Sequence, residues 1–138
     1  MYDTQKAIVE HLKKIDLART VKPYAGEVRD AIKLRNLLPA IFPVFVNGTV
    51  GAHNPSFRFD LLVITETRTL DKQDNIEANL QLSQKIVDYL RDNWNWSDGK
   101  YYYSILQTDD AGAQIEAETL LIEPRFTVVL LKITVFKQ

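Results

Sequence analysis

Phe57-Arg58-Phe59-Asp60-Leu61-Leu62-Val63-Ile64-Thr65-Glu66-Thr67 is the stretch on which the fold turns. Phe57, Phe59, Leu61 and Val63 recur at a period of two, which puts them on one face of an extended strand. Leu62 and Ile64 make the opposite face apolar as well. A strand that is apolar on both faces needs cover on both sides. Segment 57–67 therefore predicts a central strand of a sheet.

On the N-terminal side, Ile41 to Asn47 is rich in β-formers and predicts a second strand. Asn47-Gly48 and Asn54-Pro55 bracket a turn-rich loop between the two. Glu27 to Leu38 predicts a short helix, stopped by Pro39. Val21 to Gly26 is irregular, because Pro23 pushes Lys22 to an extended conformation and Gly26 permits a tight bend. Thr4 to Asp16 predicts a helix with Ile8, Leu12 and Ile15 on one face, and Asp3 or Thr4 can cap it.

On the C-terminal side, Thr67 to Gln73 is a polar loop. Asp74-Asn75-Ile76-Glu77 has the form of a capping box. It opens a helix that runs to about Asn93, with Ile76, Leu80, Ser83, Ile86, Val87 and Leu90 as its inward stripe. Tyr101–Thr108 and Gln114–Ile122 predict a hairpin around Asp109-Asp110-Ala111-Gly112. Glu123-Pro124 breaks the run, and Phe126 to Lys137 is a long last strand. The expected fold is a single α/β (α+β) domain over residues 1–138. It has a mixed, largely antiparallel sheet of about five strands, with two to three helices packed on it.

Composition narrows the function classes. Lys+Arg 17 against Asp+Glu 18 gives a net charge of −1, so no global basic field draws in nucleic acid. With no cysteine there is no disulfide, thiolate metal site or thiol nucleophile. The first 16 residues are charged every few positions and do not read as a signal peptide. No apolar run approaches the length of a membrane span.

Candidate chemistry is sparse. His11 and His53 are far apart in sequence, and neither has a carboxylate at ligand spacing. Asp60 and Glu66 resemble a strand-borne acidic pair that could hold a divalent cation. The position two residues past the second acid, where a nuclease would need Lys, is Arg68. A structural role for Asp60, such as a salt bridge, is the competing reading. Asp109 and Asp110 are explained by turn formation. No glycine array of the phosphate-cradling type is present. No catalytic residue, cofactor or metal is expected.

Two stretches carry a resemblance. Lys22-Pro23-Tyr24-Ala25-Gly26-Glu27 is followed by Leu37-Leu38-Pro39-Ala40-Ile41-Phe42-Pro43-Val44-Phe45-Val46, and then by the Phe59–Val63 strand and a long helix. Over roughly residues 5 to 136 this resembles the Mu-like phage tail terminator family, similar in fold to the minor tail protein U of lambda-type phages. Pro23, Tyr24, Gly26, Pro39 and Pro43 are the family-like structural positions. The loop from Asn47 to Ser56 and the Tyr101-Tyr102-Tyr103 run depart from the plainest form of the pattern.

The resemblance implies a non-enzymatic virion assembly protein. It would form a ring, of six subunits, that caps the tail tube and joins it to the head. Its partners would be itself, the tail tube protein and a head-completion or connector protein, with no membrane and no specific nucleic acid. It would be made in the bacterial cytoplasm and end in a virion or tail-like particle, from a phage or prophage. A connector or neck subunit of similar fold is the alternative within that class, and the metal-dependent nuclease is the alternative outside it.

A ring needs interfaces, and aromatic residues and arginine favour their centres. Trp94, Trp96, Tyr101 and Tyr103 cluster after the long helix, and side-chain alternation forbids all of them from entering one core. The competing arrangement buries Tyr102 alone of the three tyrosines. Arg68, Leu70 and Lys72 form a charged loop around an apolar residue. The terminal strand is a third candidate if it lies at a sheet edge; running through the middle of the sheet is the alternative.

Overall fold

The computed structural model describes residues 2–49, 51, 53, 55–105, 115–122 and 125–138. The proposed turn at Asp109–Gly112, the Glu123-Pro124 break and Asn54 lie outside them.

The chain is mixed α/β; the described residues form three helices and a curled, mostly antiparallel seven-stranded sheet. The elements in order are α1 (Tyr2–Lys13), β1 (Thr20–Val21), a 3-10 turn (Glu27–Arg29) and α2 (Ala31–Arg35). They continue with β2 (Ala40–Gly48), β3 (Ser56–Glu66), α3 (Lys72–Asp92), β4 (Asn95–Ser97), β5 (Tyr102–Ser104), β6 (Glu116–Ile122) and β7 (Phe126–Lys137). The strand order is β1-β2-β3-β7-β5-β4, with β6 also on β7. Among the described residues only the β1–β2 pairing is parallel.

β3 is central, as its two-sided apolar pattern requires. It pairs with β2 on one side and along its whole length with β7 on the other, from Ser56↔Phe136 to Glu66↔Phe126. β7 is central too, because β6 and the end of β5 occupy its second edge. The terminal strand is therefore not a free edge.

The two faces of the sheet carry separate cores. Ile41, Phe59, Leu61, Val63, Val129, Leu131 and Ile133 pack under α1 and α3, which contribute Ile8, Leu12, Ile86 and Leu90. Ala40, Phe42, Leu62, Ile64, Phe126 and Val128 form the opposite core with Leu34 of α2. Residues 24–38 cover this second face. Tyr24 meets Phe42 edge-on at 5.8 Å, and Lys22 pairs with the buried Glu27 at 3.4 Å. Burial pushes the Glu27 carboxyl up. The Ala25 and Glu27 amides and Lys22 outweigh that and hold it below its ordinary value. Gly26 supplies the left-handed conformation of the bend at φ +86.

Pro43 has no N–H to give, and it sits where β2 leaves β1 behind. Its carbonyl accepts from Gln5 Nε2 of α1 at 3.2 Å. Farther along, a bulge between Phe45 and Asn47 pushes Val46 into solvent. Gly48 then lies opposite Phe57, where a Cβ would stand 2.5 Å from the Phe57 ring and 2.8 Å from the Ser56 carbonyl oxygen. Gly48→Ala should cost about 1–3 kcal/mol, because backbone as well as side chain must shift. Urea unfolding checks this, and an unchanged midpoint would mean that the strand end gives way freely.

Several expectations are corrected. Asp3 and Thr4 lie inside α1, which already begins at Tyr2, so neither is its N-cap; Thr4 is buried instead. The helix expected over Glu27–Leu38 is a 3-10 turn and a short α2, divided at Asp30, whose side chain caps α2 by accepting from the Lys33 amide. The cap of α3 is Asp71, not Asp74; its Oδ1 accepts from the amides of Gln73 and Asp74. The inward stripe of α3 is Asn75, Asn79, Ser83, Ile86 and Leu90, and Leu80 points outward. The sheet has seven strands rather than about five, because β1 and β4 span only two and three residues.

Candidate functional site

The loop between β3 and α3 presents an apolar side chain by construction. Asn75 is buried, and all of its described hydrogen bonds go to this loop. Its Oδ1 accepts from the Arg68 and Thr69 amides at 3.1 and 3.4 Å, and its Nδ2 donates to the Thr69 carbonyl at 3.0 Å. The Thr69 hydroxyl accepts from the Asp71 amide and donates to the Asp71 carbonyl, both at 3.1 Å. With the backbone on either side fixed, Leu70 stands fully in solvent, at 105% of reference exposure.

Beside it runs a cleft of about 370 Å³, lined by Leu38, Pro39, Ala78 and Leu82 together with Arg68 and Asp74. A second cleft of about 260 Å³ continues past Leu38 and Glu66 toward Ile32 and Phe126. Ile32 on α2 is 83% exposed. Arg35 Nε and Glu66 Oε1, 3.3 Å apart, pair across the shared stretch. Both partners are exposed, so the pair contributes little stability and instead sets a polar border. Two outward aliphatic side chains, apolar clefts between them and charges of both signs around them have the anatomy of a protein-contact surface.

The aromatic cluster divides differently from the sequence expectation. Tyr103 is buried, and Trp96 packs against the core with it, their rings 5.6 Å apart. Of these two interface candidates, Tyr103 is turned into the core and Trp96 is half-buried against it. Tyr102 is the exposed member of the run, and Tyr101 is half-buried beneath the Lys137 ammonium, 3.9 Å from its ring centre. Trp94 stays partly exposed. Asp98 fixes the turn between β4 and β5. Its Oδ1 accepts from the Lys100 and Tyr101 amides and its Oδ2 from the Tyr103 hydroxyl, so its carboxyl sits below the ordinary range. Burial and the same carboxylate push the Tyr103 phenol up.

Of the loop residues named from sequence, Arg68, Leu70 and Lys72 are all exposed, and Arg68 alone lines the cleft. Sequence reasoning missed Ile32, Leu38, Ala78 and Leu82. Ile32 lies on α2, Leu38 just before β2, and Ala78 and Leu82 on α3, so only the fold brings these distant positions to two adjoining clefts.

Asp60 and Glu66 share a face of β3 but are six residues of extended chain apart, roughly 20 Å. Asp60 instead lies opposite Lys132, and Glu66 pairs with Arg35. Among the described residues no three His, Asp or Glu side chains gather as a metal-binding group. His53 is exposed. His11 is buried, with its ring stacked on Trp96 at 4.1 Å.

No known protein family matches this chain, and no curated protein does.

Proposed function

We propose that the chain is a structural subunit of a phage-type tail, a terminator that closes on itself as a ring and caps the tail tube. The observation that carries this is the fully exposed Leu70, in a loop hydrogen-bonded on either side of it, beside an apolar cleft. A leucine kept in water by a loop that a buried asparagine ties down has no value to the isolated fold. It becomes favourable when a second surface covers it, and because the loop is already ordered little entropy is lost on contact. The resemblance of residues 22–46 and of the β3 stretch to tail terminators points the same way. The tail tube protein and a head-completion protein are the further partners that this role requires.

Sedimentation of the purified chain, alone and with tail tubes, tests the proposal. Ring-sized oligomers are expected, of six subunits by the resemblance. The double change Leu70→Glu and Ile32→Glu should return them to monomers while moving the unfolding free energy by only about 0.5 kcal/mol, as exposed positions do. A wild-type chain that stays monomeric at every concentration, with and without tubes, would refute it. Binding to head portals in place of tubes would mark a connector subunit.

A further inference from the structure

His11 sits at the junction of three elements. It lies in α1, its ring stacks on Trp96 of β4 at an angle of 5°, and its Nε2 is 2.9 Å from the Asn93 carbonyl at the end of α3. Tyr89 of α3 closes a third side at 5.3 Å. A carbonyl only accepts, so Nε2 carries the proton and Nδ1 is the bare nitrogen of a neutral ring. Nδ1 is buried and has no hydrogen-bond partner among the described residues.

A second proton would therefore create a buried N–H with nothing to receive it, on a ring that is 4% exposed. The ionic surroundings do not rescue it. From α1, Asp3, Lys6 and Glu10 line the adjacent cleft, with Lys14 just past its end, so this segment offers as many cations as carboxylates. Glu10 is taken by Lys13 at 3.3 Å. From the β4–β5 turn, Asp98 is occupied by two amides and Tyr103. From α3 and β5 the titratable neighbours are Tyr89 and Tyr103, whose phenols are both pushed up and stay neutral.

We propose that His11 is a pH-sensitive latch, which holds α1 on the sheet while its ring is neutral and releases α1 when the ring takes a second proton. Burial lowers its pKa from the ordinary 6.5; the Asn93 hydrogen bond offsets part of this, and Lys14 adds to it. The sign follows. Below 6.5 an unfolded or released His11 binds a proton that the latched ring refuses, so the latch weakens as pH falls. What it releases is substantial, since Ala7, Ile8, Val9 and Leu12 of α1 cover Val21 and Ile41 of the first core.

Amide hydrogen exchange and proton NMR titration test the latch in the whole chain. From about pH 7 to about pH 5, protection factors of α1 amides should fall several-fold relative to those of α3, and the His11 ring should titrate below the ordinary 6.5. His11→Phe keeps an aromatic ring on Trp96 but takes no proton, so its α1 protection should be flat over the same interval. The titration needs no variant and stands even if the Phe form fails to fold. The latch is refuted if His11 titrates at or above the ordinary 6.5, if α1 and α3 lose protection together, or if the Phe form keeps the acid response.

Discussion

Replacing Asn79 with leucine is expected to destabilise the fold by about 2–4 kcal/mol, a large loss for one nearly isosteric change. Asn79 is fully buried under α3. Its Nδ2 has two hydrogens for three acceptors, the Val63 carbonyl at 2.9 Å, the Thr65 hydroxyl at 3.0 Å and the Thr127 carbonyl at 3.1 Å, so one donation is shared. Its Oδ1 accepts from the Ser83 hydroxyl at 2.9 Å. One amide thus ties the helix to the two central strands at once. Leucine would leave those oxygens and the Ser83 hydroxyl facing an apolar side chain, and an unpaired buried polar group costs about 1–3 kcal/mol. Asn79→Asp should be no milder, because a carboxylate would meet two carbonyl oxygens with nothing to donate. Urea denaturation followed by circular dichroism checks both. A Leu variant as stable as the parent would mean that water replaces the lost donor.

The second large effect is expected at Phe59. Its side chain is fully buried at the centre of β3, flanked across the strands by Phe45 and Ile133. The Phe45 ring meets it at 5.8 Å, steeply tilted. Phe59→Ala removes the ring and leaves a cavity that the paired strands cannot collapse to fill, at about 3–5 kcal/mol. Phe59→Leu should cost appreciably less, since most of the volume stays. Thermal unfolding of the pair checks the ordering. Equal losses would indicate that edge-on ring contact, not volume, dominates.

The long elements were legible because their patterns repeat often enough to show. β3 and β7 each run eleven residues or more with apolar side chains on both faces, and no helix pattern competes. β1 and β4 are two and three residues long and show no period at all. For α3 the helix was legible, and so was the C-terminal half of its inward stripe at Ser83, Ile86 and Leu90, but the N-terminal half was not. Ile76 and Leu80 look inward by composition, while Asn75 and Asn79 look outward until the loop and sheet supply partners for their amides. Those partners lie up to 48 residues away. The cap failed for a similar reason, since Asp71 and Asp74 are chemically the same and only the Asn75-held loop selects the earlier one. In the tyrosine run, alternation said that members must part company. Which of them turned inward was decided by Trp96, opposite Tyr103 across β4 and β5. At the candidate site, Leu70 stood out as an apolar residue among charges, but the clefts beside it exist only where distant segments meet.

Pro43 has a consequence for how copies of this molecule can join. A sheet grows from subunit to subunit through backbone hydrogen bonds only if both of its lateral margins are receptive. Here the β2 margin is interrupted by a residue without an N–H, and the carbonyl beside it is engaged by Gln5. The far margin at β4 is three residues long, and among the described residues β6 pairs with β7 alone. Two copies could zip together along β6, and the process would end there. Any larger closed assembly has to be cemented by side chains, so its size is set by the shape of surfaces such as the one around Leu70, and not by strand pairing.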